Sequence, residues 1–204
     1  MTNQIINYLD TLFPNAECEL KFDNNFQLLV AVILSAQCTD KRVNQVTDIL
    51  FKKVKSPEDV VNLGIEKLKQ IIFPCGFYNN KAKNIFDMSN DLITRFNKQV
   101  PSTKEELMSL KGVGQKTANV VLSMAFNGDA IAVDTHVFRV SKRLGLSSQN
   151  NPLKVEEDLC KIFDRKLWSK LHYQMVLFGR YYCKARNPNC KDCKLKEICK
   201  YTKQ

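Results

Sequence analysis

Apolar positions along this chain recur with the spacing of helices, and no stretch shows the strict two-residue alternation of a half-buried strand. Asn25 to Gln37 is apolar on nearly every side, which predicts a helix buried in the middle of a bundle. Ala118, Val121, Leu122 and Ala125 fall at i, i+3, i+4 and i+7 and mark a single buried stripe on another helix. Val137, Val140 and Leu144 mark the helix after it. The starts are signalled by side chains that cap free amides. Ser56-Pro57-Glu58-Asp59 gives a cap residue, a proline at the first helical position and acids in the first turn. Thr103-Lys104-Glu105-Glu106 reads as a capping box, with Glu106 reaching back to the Thr103 backbone N–H. Asn151-Pro152 opens a further helix. Gly76 and Gly145 stand where helices should stop, and Gly145 follows Lys142 and Arg143, cations suited to a last turn. There is no repeat of fixed period and no low-complexity linker. The pattern predicts an all-α fold.

Composition narrows the class. At 204 residues the chain can form one large domain or two small lobes with a core of their own. A hydrophobic fraction of 44%, with only 7 Gly and 6 Pro, excludes a linker or a disordered tail. The most apolar run, Leu28 to Leu34, is too short to span a bilayer. The N-terminal MTNQIINYLD lacks the basic start and apolar stretch of a secretory leader. A soluble cytoplasmic protein is expected. Its charge is lopsided: residues 1–100 hold 12 Lys+Arg against 11 Asp+Glu, and residues 101–204 hold 19 against 10. A basic half suits nucleic acid, whose counterions are released on contact, although well-solvated lysines would give the same count.

Candidate chemistry gathers in two places. The first is Ser109-Leu110-Lys111-Gly112-Val113-Gly114-Gln115-Lys116-Thr117-Ala118. Two glycines a residue apart at a helix N-terminus leave backbone N–H groups open to a phosphate oxygen. A tight turn between two helices would look the same. Lys116 lies roughly opposite the Ala118 stripe, alongside Val120 and Ser123, and so points away from its own helix's core. Alone it reads as a solvated lysine or a phosphate contact; a nucleophilic amine needs a lowered pKa and a partner. Asp134, in Ala132-Val133-Asp134-Thr135-His136-Val137, stands at the N-cap of the following helix and is the candidate partner. Its plainer role is to accept the N–H of His136 or Val137. His136 reads as a structural hydrogen-bonding residue.

The second place is the C-terminus, where Cys183, Cys190, Cys193 and Cys199 crowd a stretch too short to build a core. Cys18, Cys38, Cys75 and Cys160 are scattered and read as structural thiols. Four clustered cysteines can hold tetrahedral zinc or an iron–sulfur cluster. Only the central pair forms a short knuckle, which favours iron–sulfur. Residues 180–204 carry 8 Lys+Arg against 2 acids, so the clipped loop is also a basic surface, with Lys184, Arg186 and Lys191 as expected DNA contacts.

These elements together resemble the endonuclease III family of helix-hairpin-helix DNA glycosylases. The likeness runs through Ser35-Ala36-Gln37-Cys38-Thr39-Asp40, Gly76 to Ala82, Leu110 to Val121, Val133 to Val140 and the four cysteines. It implies a two-lobed fold: a six-helix barrel over about residues 19–128, holding the hairpin at about 103–126, and a helical lobe from 1–18 and 129–204. The second lobe would carry a [4Fe-4S] cluster on the loop 183–199, and the active cleft would lie between the lobes. The resemblance makes Lys116 the Schiff-base lysine and Asp134 the essential aspartate. Gln37 becomes the residue that enters the duplex where a base has been flipped out; its plainer role is a polar end to a buried helix. Lys111, Gly112, Val113, Gly114 and His136 join the expected DNA contacts. Lys111 stands where many members have proline, which should change turn rigidity and add a phosphate contact.

The implied activity is base-excision repair: release of oxidised pyrimidines from double-stranded DNA and β-elimination 3′ to the abasic site. The enzyme would be a monomer bound to the nucleoid through DNA, with no membrane association. One rival is the adenine-mismatch glycosylase branch, which lacks the lysine and usually adds a C-terminal domain, whereas this chain has Lys116 and stops soon after Cys199. The 8-oxoguanine branch has a lysine but generally no cluster. A third reading is a non-enzymatic DNA-binding module with a structural metal, which would tolerate loss of Lys116 and Asp134.

Overall fold

The computed structural model describes residues 1–126 and 131–203. Among these residues the regular structure is helical, with no strand. It divides into two compact units, Cys18–Phe126 and Met1–Glu17 with Asn127–Gln204, here called the middle and terminal units. A boundary at 128/129 lies outside the described residues. No described helix is long and apolar enough to cross a membrane.

The middle unit is organised around α2 (Asn25–Ser35), in which every residue from Phe26 to Leu34 is buried. The Asn24 side chain caps it by accepting the Gln27 N–H at 2.9 Å. Each fully buried leucine here contributes about 1.5–3 kcal/mol through the apolar surface it removes from water. Around it lie α3 (Asp40–Leu50), α4 (Pro57–Leu63), α5 (Ile65–Ile72), α6 (Tyr78–Arg95), α7 (Lys104–Met108) and α8 (Gln115–Ala125). The helix ends two residues short of Gln37, which is exposed and left-handed at φ 53°. Continuous apolarity marked the buried segment but gave no sign of this turn.

Side-chain caps set the other starts. Ser56 and Asp59 form the reciprocal box: Ser56 Oγ accepts the Asp59 N–H at 3.3 Å and Asp59 Oδ2 accepts the Ser56 N–H at 2.9 Å. At Thr103 only half of the expected box forms. Thr103 Oγ1 accepts the Glu106 N–H at 3.3 Å, but Glu106 Oε2 takes the Thr103 hydroxyl at 2.7 Å in place of its backbone N–H. The hydroxyl serves as acceptor and donor at once, so the carboxylate closes on the nearer group.

Helix α8 also differs from its apolar stripe. Ala118 and Val121 are buried as expected, but so are Asn119 and Ser123, whereas Leu122 and Ala125 are half-buried. The cause is packing on two sides, because α8 meets both α2 and α7.

The terminal unit packs α1 (Thr2–Leu12), α9 (Thr135–Arg143), α10 (Pro152–Ile162) and α11 (Trp168–Leu177) around Ile5, Leu9, Val137, Val140, Val155, Leu159 and Met175. Gln174 Nε2 ties α1 to α11 through Asp10 Oδ1 at 2.6 Å and the Phe13 carbonyl at 3.2 Å. Gly145, at φ 71°, ends α9: its N–H reaches the Lys142 carbonyl at 3.1 Å, and the Leu146 N–H reaches that of Ser141 at 2.9 Å. That pair of bonds needs a left-handed residue at this position, which explains the glycine. A π-helical turn, Phe178–Tyr182, follows α11 and leads into the cysteine loop.

Candidate functional site

In the middle unit, α7 and α8 form the hairpin around Gly112-Val113-Gly114. The two glycines have different jobs. Gly112 sits at φ 78°, and a Cβ there would lie 2.7 Å from Cβ of Asn84 on α6, so both backbone and space require glycine. Gly114 is the N-cap of α8, with open space where a Cβ would stand and no side-chain cap bond. The first amides of α8 have no partner within the helix, and the positive end of its dipole is exposed with them. A phosphate oxygen can approach there. Val113, expected as a DNA contact, has a buried side chain, and its N–H donates to the Leu110 carbonyl at 3.2 Å. It holds the turn, leaving Gly112, Gly114 and the exposed Lys111 at the surface. Arg95 Nη2 further braces the hairpin through Ser109 Oγ at 3.0 Å.

Lys116 lies in the first turn of α8 and is exposed. It is the second residue of that helix, directly after the uncapped start. Ser123, expected on the same outer face, is buried.

In the terminal unit, Asp134 caps α9 with both oxygens engaged. Oδ1 accepts the His136 N–H at 2.9 Å and the Val137 N–H at 2.8 Å, and Oδ2 lies 2.8 Å from His136 Nδ1. The carboxylate is 13% exposed, and these bonds fix its direction. His136 serves as the structural hydrogen-bonding residue expected of it. Gly179 makes room for it: a Cβ there would come within 2.8 Å of the His136 Cβ.

The four C-terminal thiols line one cavity, together with Arg143, Tyr182 and Tyr201. Burial pushes the Cys193 thiol above its ordinary range against a hydrogen bond from Leu195, and the neighbouring Cys183, Cys199 and Cys190 act in the same direction as burial. Among the described residues no three or more His, Cys, Asp or Glu side chains are drawn together as a single-ion site. The thiols stand around a shared space, with a cation directed at them. Arg143 Nη1 lies 3.3 Å from Cys183 Sγ and donates to the Lys184 carbonyl at 2.7 Å, while the Arg143 carbonyl takes Cys199 Sγ at 3.3 Å. Its guanidinium also covers the Tyr201 ring at 4.0 Å. This donor set fits an anionic metal–sulfur group. Lys184, Arg186 and Lys191 are exposed on the same loop.

Some of these side chains were not legible as functional. Arg139 reaches the Gly179 carbonyl at 2.6 Å and that of Cys183 at 3.3 Å. With Arg143 it forms an i, i+4 pair on α9 aimed at the cysteine loop. The only sequence signal was that spacing. Asn84 and Gly179 are seen only once the elements are packed.

The hairpin, the uncapped helix and the cysteine-lined loop define a helix-hairpin-helix DNA-repair protein. The sequence pattern of the HhH-GPD superfamily base excision DNA repair protein matches residues 30–165. Endonuclease III of Bacillus subtilis (strain 168) is 50% identical over 190 residues, covering 93% of this chain and 87% of its own. Two solved structures, a non-covalent endonuclease III–DNA complex and a trapped endonuclease III–DNA covalent intermediate, each align with TM-score 0.94 and 49% identity. They cover 100% of this chain, and 97% and 98% of their own. The chain belongs to the endonuclease III family within the HhH-GPD superfamily.

Proposed function

We propose that this protein is a base-excision-repair DNA glycosylase and AP lyase that removes oxidised pyrimidines from duplex DNA and nicks the strand through Lys116. The observation that carries the reading is an exposed lysine in the first turn of an uncapped, glycine-started helix. Such a helix start binds a phosphate and sets an amine beside the sugar attached to it. The covalent DNA intermediate trapped for a relative of 49% identity supports a covalent step here too.

The lesion must first leave the stack, at a cost of a few kcal/mol that is least for a damaged base. The Gln37 side chain fills the vacated space, and Lys111, Gly112 and Gly114 hold the backbone. Lys116 Nζ bonds to C1′ as the base departs. The Asp134 carboxylate, aimed by its bonds to His136 and Val137, stabilises the positive charge developing on the sugar and assists proton transfer. Loss of an amine proton and opening of the sugar at its C1′–O4′ bond, with O4′ taking up a proton, give an iminium that makes the proton on C2′ acidic. Its removal breaks the bond to the 3′ oxygen, which leaves with the phosphate. Lys184, Arg186, Lys191 and His136 add contacts to the DNA.

The four cysteines would hold a [4Fe-4S] cluster, which clips a loop that has too few apolar residues to fold by packing. Cys193→Ser is expected to lose the visible absorbance of the cluster and the cooperative folding of the terminal unit, with DNA affinity falling in parallel. A Cys193→Ser protein with one cooperative melt and full affinity would contradict this.

The direct test uses a duplex carrying a single thymine glycol. The expected products are free base, a 3′ unsaturated aldehyde end and a 5′ phosphate. Base release with an intact strand would indicate a monofunctional glycosylase, and binding without release a DNA-binding module.

A further inference from the structure

One buried cation has no part in the chemistry above. Lys81, in the first turn of α6, is 5% exposed. Its Nζ donates to the Leu34 carbonyl at 2.8 Å and to the Cys75 carbonyl at 2.9 Å. Both acceptors end an element. Leu34 lies in the last turn of α2, where carbonyls have no partner within the helix, and Cys75 closes the 3₁₀ turn Phe73–Cys75. A few residues beyond each, the chain passes through a left-handed residue that is not glycine: Gln37 at φ 53°, and Phe77 at φ 48°, the latter directly after Gly76 at φ 68°. Both side chains are exposed. Such conformations are strained for an L residue and persist only where the surroundings over-determine them.

Lys81 is what joins the two turns. Its ammonium takes one carbonyl from each, and its own N–H donates to the Phe77 carbonyl at 3.0 Å. Burial lowers its pKa from the ordinary lysine value, with the Cys38 and Cys75 thiols acting the other way. Burial and contact with Cys38 push the Cys75 thiol up to about 12. A buried ammonium is costly, and an apolar side chain would fill the same space more cheaply if packing were all that was needed. The charge is explained by what it holds. Asn84, one turn further along α6, is the residue against which Gly112 packs. The same helix thus braces the Gln37 turn and the glycine hairpin.

We propose that Lys81 is a positioning residue for duplex recognition: it fixes the turn that projects Gln37, so that this side chain is already placed when a base leaves the stack. The proposal rests on the reading of Gln37 as the residue that fills the vacated space. It predicts an effect confined to duplex substrates. Strand cleavage by Lys116 at an abasic site in single-stranded DNA has no vacated stack to fill and should not need it.

The test compares Lys81→Met, Gln37→Ala and the double variant, each with its metal–sulfur group intact. Two rates are read: single-turnover excision from a lesion duplex, and cleavage of a single-stranded oligonucleotide with one abasic site. Each single variant should slow duplex excision by about tenfold, with the double variant no slower than the slower single, because the two act as one unit. Single-stranded cleavage by Lys81→Met should stay within about twofold of wild type. A 2-aminopurine opposite the lesion should show weaker duplex opening in both single variants. The proposal is overturned if the two losses multiply, or if Lys81→Met loses single-stranded cleavage to the same extent. A slow Gln37→Ala beside a Lys81→Met of wild-type rate overturns the positioning role alone. A Gln37→Ala of wild-type rate removes the duplex-filling reading itself, and Lys81 with it. Should Lys81→Met not fold, Lys81→Gln, which keeps a donor for one carbonyl, is read in the same way.

Discussion

Lys116→Ala is expected to slow strand cleavage at an abasic site by roughly 10⁴-fold or more, the scale of loss when a nucleophile is removed from a catalytic unit. The reasoning is local. Lys116 is exposed and its neighbours Ala118 and Val121 carry the packing of α8, so the variant keeps its fold. Affinity for an abasic-site duplex should fall by less than about tenfold, because one cation among many phosphate contacts is lost. A phosphate-binding lysine would give the opposite pattern, with weaker and less salt-sensitive binding and little change in the cleavage rate of bound DNA.

Asp134→Asn is the second large effect. Asparagine caps helices about as well as aspartate, so the bonds to the His136 and Val137 amides can be kept. Melting temperature should therefore change little. What is lost is the negative charge facing a sugar that becomes cationic, and base excision should fall by roughly 10²- to 10³-fold. The substitution separates the capping role that the structure shows from the catalytic role proposed for the same side chain. A folded Asp134→Asn protein with wild-type excision would leave Asp134 as a helix cap and nothing more.

How much of this was legible in the sequence depended on the kind of interaction. Backbone punctuation was the clearest: the Ser56 start, the Gly145 stop and the glycine hairpin each follow from a local φ requirement or a free amide. The burial of α2 followed from composition alone. The stripe on α8 was read one-sidedly, because periodicity reports a face and not the number of partners; contact with both α2 and α7 buries Asn119 and Ser123 as well. Long polar side chains that end on carbonyls left little signal: an i, i+4 spacing for Arg139 and Arg143 and none for Lys81. Each bonds to backbone dozens of residues away, and a lysine or arginine destined for this looks like any surface cation. Gln37 was singled out only through resemblance, and its left-handed turn was hidden by the apolar run before it. Asp134 was the favourable case, since the same position that makes it a cap also fixes its aim.

The central claim is that Lys116 becomes covalently joined to the sugar of the damaged nucleotide. Borohydride reduction during turnover on a duplex containing one thymine glycol tests it most directly. The wild-type protein should yield a protein–DNA adduct stable to denaturation, with the modified peptide containing Lys116, and Lys116→Ala should yield none. Absence of an adduct from wild type on this lesion and on an abasic site, or an equal adduct from both proteins, would contradict the account.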